Sequence, residues 1–334
     1  MVWWIWFYEQ RRFALYVISP SDSENAYLVL PNTGPSLHKL PNLSTISWPQ
    51  YKRPNYTRTT TGSGFNLKLS EGQHESLQYL LREFERIMIS LELHDQWFLG
   101  AGTLLGSLRH HDIIPWDDDL DVYVDLRHRT KIQSALRNLP SIFGTHTLNL
   151  MDKIFFKPIG DKESVNSSTI GSFKVPNWPW AWPFLDIFYF KYENAKKVVD
   201  VTWERFAMTP EQIFPVTYRP YGQRWYPAPR NPISLLTAFF ASDRHLCMSS
   251  DYSHAKETGI PSYSVNCSAL FNRYAFVLRC PVGTNRSRDD GLQYCDEYLV
   301  GGDGRCIHKI RTLLDPTEIA SPFFTAQHNL FSCP

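Results

Sequence analysis

Four aspartates occupy five consecutive positions within the segment 114–122 (IPWDDDLDV), and an apolar stretch follows them directly. From residue 120 to residue 124, apolar and polar residues alternate with the period of a half-buried β-strand. Asp119 and Asp121 therefore lie on one face of a strand, about 6.6 Å apart along the chain. Two carboxylates at this spacing can share a divalent cation, and oxygen ligands select Mg²⁺ or Mn²⁺ rather than zinc. The segment predicts a metal site.

Two other interpretations of the acidic segment fit less well. A solvated acidic loop would place four like charges against an apolar strand, where their repulsion is costly unless a cation relieves it. A calcium loop of the EF-hand type needs Gly at position 122 and Glu at position 128, where this chain has Val122 and His128.

A third carboxylate lies in the segment 184–190 (FLDIFYF), which is hydrophobic except for Asp186 and predicts a central strand covered on both faces. An ionised acid is costly to bury in such a strand unless it is paired or binds a metal. Asp186 is thus a candidate third ligand that would complete the site or deprotonate an attacking hydroxyl. The alternative is a buried ion pair with an Arg or a Lys.

A glycine-containing turn precedes these acids at residues 100–106 (GAGTLLG), between an apolar strand at 97–99 and a helical segment from Thr103 to Arg109. Gly100 and Gly102 would let backbone N–H groups approach a phosphate at the start of the helix. Arg109, His110 and His111 follow and could clamp a diphosphate, although basic residues at a helix end need no special role.

The chain is expected to divide into an irregular leader (1–70), a catalytic domain (71–245) and a cysteine-containing extension (246–334). Ser70 and Gln73 form a capping box before an amphipathic helix of about five turns. Further helices are expected at 127–137 and 232–241, strands at 145–150 and 153–157, and loops at 218–230. The first 20 residues hold no apolar run of the roughly 18 residues that a membrane span needs, and they do not resemble a signal peptide.

The 34 basic and 33 acidic residues nearly balance, so no strong field exists to attract nucleic acid or an anionic membrane. All six cysteines follow residue 246 and lack a C-x-x-C pair, which argues against a zinc ribbon and favours disulfides. A metal site that includes His254 is the alternative. Five glycosylation sequons, at Asn42, Asn55, Asn166, Asn266 and Asn285, also indicate the secretory pathway.

The stretch 100–110 (GAGTLLGSLRH) together with 114–122 resembles the LicD, fukutin and fukutin-related protein family, in which a glycine-threonine loop precedes an Arg-His pair, a Pro-Trp-Asp segment and metal-binding aspartates. The strand around Asp186 is similar to the later aspartate strand of that family. The resemblance covers roughly residues 75–240. A Tyr-Gly pair that the family often places after the following helix is replaced here by residues 239–242 (FFAS).

The resemblance implies an α/β (α+β) nucleotidyltransferase-like fold with a mixed sheet flanked by helices. It also implies metal-dependent transfer of phosphocholine or ribitol phosphate from a CDP-alcohol donor to a glycan, in the Golgi lumen. The roles it implies are metal binding by Asp119 and Asp121, an accessory position for Asp117, a ligand or base role for Asp186, and donor-phosphate binding by Gly100, Gly102, Thr103, Arg109 and His110. A Golgi glycosyltransferase with an Asp-x-Asp motif and a catalytically silent glycan-binding module are the alternatives.

Overall fold

The computed structural model describes residues 15–18, 26–29, 40, 42–54, 64–158, 172–240, 246–281 and 294–313. Within these ranges the helices are α1 (Glu71–Ser90), α2 (Ala101–Arg109), α3 (Arg129–Arg137), α4 (Pro210–Ile213) and α5 (Pro232–Phe239). The strands are β1 (Leu15–Ile18), β2 (Ala26–Val29), β3 (Trp97–Leu99), β4 (Leu120–Asp125), β5 (Phe143–Thr147), β6 (Met151–Phe156), β7 (Phe173–Lys174), β8 (Ala181–Trp182), β9 (Phe184–Asn194), β10 (Lys197–Asp200), β11 (Ala207–Met208), β12 (Thr217–Tyr221), β13 (Arg224–Ala228), β14 (Leu246–Met248), β15 (Tyr252–Ser253), β16 (Thr258–Gly259), β17 (Ser264–Asn266), β18 (Phe276–Pro281), β19 (Tyr294–Val300) and β20 (Cys306–Leu313).

The central sheet has seven strands and mixed direction, as the α/β (α+β) expectation requires. Its main path runs β11-β10-β9-β4-β3, and β6 pairs with the first half of β9 while also pairing with β5. The β4 and β9 strands are parallel, whereas β3 pairs with β4 and β6 pairs with β9 in the antiparallel direction. The long strand β9 is therefore bordered on both sides where it carries Asp186.

Helix α1 begins at the expected capping box, because the Ser70 side chain accepts a hydrogen bond from the Gln73 backbone N–H and the Gln73 side chain binds back to Ser70. Leu77, Leu80, Leu81 and Phe84 on its apolar face join the main core, which also contains the buried residues of β3, β4 and β9. The helix thus covers one face of the sheet.

Several expected boundaries differ from the observed ones. All six residues of β4 are buried, so the prediction of a half-buried strand was wrong: the sheet is covered on both faces at this strand. The strands expected at 145–150 and 153–157 are β5 and β6, which begin two residues earlier. The segment 218–230 was expected to be loops, but most of it forms the antiparallel hairpin β12–β13.

The segment that follows the central domain is also folded in its described part. Strands β18, β19 and β20 form a three-stranded antiparallel sheet. The fully buried His111 joins this sheet to the core, because its two ring nitrogens lie 3.0 Å from His308 Nε2 and 3.0 Å from Glu297 Oε2. Arg219, from β12, donates to the same Glu297 oxygen at 2.7 Å.

The cysteines are oxidised only in part. Cys247 and Cys267 form a disulfide, and Cys280 is also disulfide-bonded. Cys295 is a buried thiol and Cys306 an exposed one, so the disulfides that the sequence favours are found for three of the five cysteines that the structure describes. Both lie in the three-stranded sheet, whose strands are joined by backbone hydrogen bonds.

Candidate active site

Two acid-bearing strands meet at the centre of the sheet. The parallel register places Asp121 of β4 directly opposite Asp186 of β9, and the antiparallel register places Lys153 of β6 opposite Asp186 on the other side. Asp119, Asp121 and Asp186 offer carboxylate oxygens that all lie within 4.8 Å of one another. The structure therefore brings together the three carboxylates that the sequence predicted as ligands.

Two residues of the glycine loop form hydrogen bonds with the backbone of Asp121 in β4. The Asp121 N–H donates to Thr103 Oγ1 at 2.7 Å, and the Gly100 N–H donates to the Asp121 carbonyl at 3.0 Å. A Cβ atom on Gly102 would lie 2.8 Å from Asp117 Oδ2 and 3.7 Å from Asp121 Oδ2. Gly100, Gly102 and Thr103 thus lie beside the carboxylates, and the Asp117 side chain is close to Gly102 in the first turn of α2.

Arg109 and His110 extend away from this cluster. The Arg109 guanidinium donates to the Leu246 carbonyl at 3.4 Å, and His110 Nδ1 lies 2.8 Å from the Ala275 carbonyl oxygen. The His110 ring packs against Trp116 and Phe276. Burial lowers the pKa of His110 to about 3, so this imidazole is neutral. The contacts of both residues are those of a packed interface with the segment 246–281.

Asp186 is paired as well as clustered. Lys153 Nζ donates to its two carboxylate oxygens at 2.6 and 2.9 Å, and the ammonium lies 3.6 Å from the centre of the Phe184 ring. The ion pair that was the alternative reading of Asp186 is therefore present, alongside the proximity to Asp119 and Asp121. Lys153 could have been noticed in the sequence as a charged residue inside the apolar strand β6.

Residues after position 246 form one side of the candidate site. His254, which follows β15, lies 2.8 Å from Asp118 Oδ1 through Nδ1 and 3.2 Å from Asp119 Oδ2 through Nε2. Glu257 accepts hydrogen bonds from Trp180 Nε1 at 2.8 Å and from the Tyr252 hydroxyl at 2.9 Å. His254 thus belongs with Asp118 and Asp119 to a group that could hold a metal, and within the described residues no cysteine belongs to that group. No local pattern in the sequence marks this long-range contact.

Several ionisable groups are buried close together in the candidate site, and this shifts their pKa values. Burial, followed by the neighbouring Asp186, raises the pKa of Asp121 to about 8, and burial also raises the pKa of Asp119 well above its usual range. Burial opposes the charge on His254, but Asp119 and Asp118 outweigh it and raise the His254 pKa. A divalent cation would reverse the shifts of the carboxylates, because a nearby positive charge favours their ionised form.

The donor atoms fit a hard cation. Asp119, Asp121 and Asp186 supply only oxygen, which is the ligand type that Mg²⁺ and Mn²⁺ prefer. Their raised pKa values mean that the three negative charges are costly to hold together without such an ion. Asp119, Asp121 and Asp186 are thus the residues that could hold a divalent metal, with Asp117 and the His254 group beside them.

Comparison with known proteins agrees with this geometry. Residues 94–231 match the family model described as "LicD/FKTN/FKRP, nucleotidyltransferase domain". A lipopolysaccharide cholinephosphotransferase LicD of Haemophilus influenzae is 46% identical over 57 residues, which is 17% of this chain and 18% of that protein. An uncharacterised protein of Rickettsia typhi is 36% identical over 55 residues, 16% of this chain and 17% of that protein.

The stretches shared with these two relatives thus span less than a fifth of either relative. The family match is longer, and it contains α2, β4 and β9 with all three clustered carboxylates. Residues 94–231 of this chain are therefore similar to the nucleotidyltransferase domain of the LicD/FKTN/FKRP family.

Proposed function

We propose that this protein is a metal-dependent transferase that moves a phospho-alcohol group, of the phosphocholine or ribitol phosphate type, from a CDP-alcohol donor to a glycan hydroxyl. The observation that carries the proposal is the cluster of Asp119, Asp121 and Asp186 inside a domain of this family. The name of the Haemophilus relative, a cholinephosphotransferase acting on lipopolysaccharide, supports the same reaction class.

In the proposed reaction, the acceptor hydroxyl oxygen attacks the phosphorus that bears the alcohol. The bond between that phosphorus and the cytidine monophosphate oxygen breaks, and cytidine monophosphate leaves in line with the attack. Asp119, Asp121 and Asp186 would hold Mg²⁺ or Mn²⁺, with Asp117 as an accessory. The metal would neutralise charge on the diphosphate and the leaving group.

The side chains around the carboxylates position them for this work. Thr103 and Gly100 fix the backbone of Asp121, so its carboxylate keeps one orientation. Lys153 donates hydrogen bonds to both oxygens of Asp186. In the proposed reaction, Asp186 would serve as a metal ligand or would accept the proton of the attacking hydroxyl. His254 orients Asp118 and Asp119 from the opposite wall.

A donor panel tests the proposal. The protein is incubated with Mg²⁺ or Mn²⁺ and with CDP-choline, CDP-ribitol or a set of nucleotide sugars, and release of the nucleotide is measured with and without glycan acceptors. We expect cytidine monophosphate from a CDP-alcohol only. Release of a nucleoside diphosphate from a nucleotide sugar would instead support the glycosyltransferase, and no metal-dependent turnover with any donor would support a silent binding module.

We also propose that the protein works in the secretory pathway, in the Golgi lumen. The Cys247–Cys267 disulfide supports an oxidising compartment, and two of the five sequons, at Asn42 and Asn266, lie on exposed side chains. The other three sequons lie outside the described residues. Among the helices described, none is both long enough and apolar enough to cross a bilayer. That the protein can associate with a membrane and that it has no nucleic-acid partner are both proposals.

A further inference from the structure

Lys68 is a buried lysine just before α1, outside the family-matched region. Only 5% of the residue is exposed, and its Nζ is buried without a hydrogen-bond partner in the described part of the chain. None of the ion pairs found among the described residues includes Lys68. A buried ammonium without a partner is costly, and a native structure that keeps one needs a reason.

The segment that carries Lys68 packs beside the acidic residues of the candidate site, because the Phe65 ring lies 5.3 Å from the ring of Trp116, the residue before Asp117. Burial and Asp118 raise the pKa of Asp117, and the Lys68 ammonium acts against that rise. On Asp118, burial also acts upward, while His254 and then Lys68 act downward and the pKa falls. Lys68 is therefore close enough to sense both residues, yet it forms no direct ion pair with either of them.

Two other buried polar atoms around the same carboxylates have no hydrogen-bond partner in the described ranges. They are Asp118 Oδ2 and the hydroxyl oxygen of Tyr221, a residue with no exposed surface. Burial, followed by Asp112 and then by Asp117 and Asp121, raises the pKa of Tyr221, so its hydroxyl keeps its proton. An ammonium and a hydroxyl are both hydrogen-bond donors, and each of these two lies near carboxylates of the candidate site.

Donors beside a cation site match the chemistry of a diphosphate. Mg²⁺ is commonly bound by one or two carboxylates together with substrate phosphates, and lysine is a common phosphate ligand. Arg109 and His110, which the sequence suggested for this task, are directed toward the segment 246–281 instead. Lys68 is the buried cation on the Asp117 side of the site that has no protein partner within the described residues.

We propose that Lys68 binds an oxyanion of the diphosphate group of the donor, with the Tyr221 hydroxyl as a second contact. This inference rests on the proposed function for the identity of the donor, but the anion site itself can be tested without it. Lys68 thus extends the donor site beyond the residues 94–231 that match the family.

The test measures binding of inorganic pyrophosphate in the presence of Mg²⁺ by calorimetry, in the full chain. A charge-assisted hydrogen bond corresponds to about a tenfold to hundredfold change in affinity. We therefore expect Lys68→Met to weaken pyrophosphate binding by about that factor and Lys68→Arg to keep most of the affinity. Lys191→Met removes an exposed lysine of β9 and should bind pyrophosphate like the wild type.

Tyr221 has a matched control in the same hairpin. Tyr226 is also fully buried, but the charged groups nearest to its hydroxyl are Glu85 and Arg224 rather than the carboxylates of the candidate site. We expect Tyr221→Phe to weaken pyrophosphate binding severalfold and Tyr226→Phe to leave it unchanged.

If Lys68→Met fails to fold, Lys68→Gln provides the same comparison with a polar side chain. The proposal is overturned if the wild type binds no pyrophosphate, or if folded Lys68→Met or Lys68→Gln binds it with wild-type affinity. A positive result with pyrophosphate and no turnover of any CDP-alcohol would retain Lys68 as an anion ligand and reject the proposed transfer reaction.

Discussion

Asp121 lies between Asp119 and Asp186, in a site where like charges and burial both disfavour its ionised form. We predict that Asp121→Asn abolishes metal-dependent transfer while the fold is retained, because the amide removes a charge that the metal needs. The unfolding temperature without metal should stay the same or rise, since the like-charge repulsion is reduced. Transfer rates and thermal unfolding of the variant measure the two effects.

The matched control for that variant is Asp251→Asn, which makes the same chemical change at an exposed residue close to β15. It should retain wild-type turnover. Near-wild-type activity in Asp121→Asn would show that the metal is held elsewhere.

Metal affinity should depend on pH through the same carboxylates. Protons compete with the metal at groups whose pKa values are raised, so affinity for Mn²⁺ should increase with pH up to about 8, the pKa of Asp121. Asp186→Asn should weaken Mn²⁺ binding and flatten this dependence, because one competing carboxylate is gone. Calorimetry from pH 6 to pH 8.5 measures both effects.

Asp186→Asn is preferable to Asp186→Ala for this purpose because the amide oxygen can still accept a hydrogen bond from Lys153. Removing the carboxylate altogether would break the closer ion pair of the buried Lys153 ammonium and leave it with Glu257 Oε1, 4.0 Å away. Breaking a buried ion pair costs about 3 to 5 kcal/mol. Equal Mn²⁺ affinity in Asp186→Asn and the wild type at every pH would exclude Asp186 from the metal site.

At the scale of elements, the turn between β3 and α2 depends on the absence of a side chain at Gly100. A Cβ atom there would lie 2.6 Å from the Tyr123 ring, which is fully buried in β4. We predict that Gly100→Ala destabilises the protein by about 1 to 3 kcal/mol, as overpacking does. Denaturant unfolding measures the change, and Gly259→Ala, where the nearest atom is 3.9 Å away, should leave stability nearly unchanged.

The elements that the sequence predicted well are those marked by local signals. The capping box of α1, the glycine turn before α2 and the apolar strand around Asp186 each lie within a few residues, and each is confirmed. Hairpin β12–β13 was missed because its prolines and aromatic residues are typical of loops. In the structure each proline lies opposite an aromatic residue of the other strand, Pro220 opposite Trp225 and Pro227 opposite Tyr218, and prolines are tolerated in edge strands.

The parts of the site that could not be predicted come from long-range contacts. His254 is 135 positions from Asp119, and neither its neighbours nor its spacing shows that it folds back onto the acids. The burial of Arg109 and His110 was missed for the same reason, because the segment that covers them begins after residue 245. A motif gives the residue types of a site, but the packing of distant segments decides which way each side chain extends.

At the scale of the whole molecule, buried neutral histidines make the attachment of the C-terminal sheet sensitive to acid. Burial lowers the pKa of His308 to about 3 and lowers that of His111, while the unfolded values are near 6.5. The unfolded chain therefore binds more protons below pH 6.5, so the stabilisation that is present above this pH is lost as the pH falls. Each such histidine contributes up to about 1.4 kcal/mol per pH unit.

We accordingly predict that His308→Gln, which removes one of the two titrating rings, loses less unfolding free energy than the wild type between pH 7 and pH 5. The raised pKa values of Asp119, Asp121 and His254 act in the opposite direction in both proteins, so the difference between the two proteins isolates the histidine contribution. Denaturant titration at both pH values measures this difference, and an equal pH-dependent change in the two proteins would contradict the assignment of a neutral buried His308.

The disulfide between Cys247 and Cys267 has a consequence for where the protein can work. It closes a loop of 20 residues that carries His254 and Glu257, so the wall opposite the acidic strands is cross-linked independently of the central sheet. A cross-link of this loop length lowers the conformational entropy of the unfolded chain, which stabilises the folded state by about 3 kcal/mol. In a reducing environment we expect turnover to fall while the circular dichroism of the core persists, and Cys247→Ser with Cys267→Ser to reproduce that loss. The thiol-disulfide balance of the surroundings would then decide whether the assembled enzyme is active, without any change in the residues that perform the chemistry.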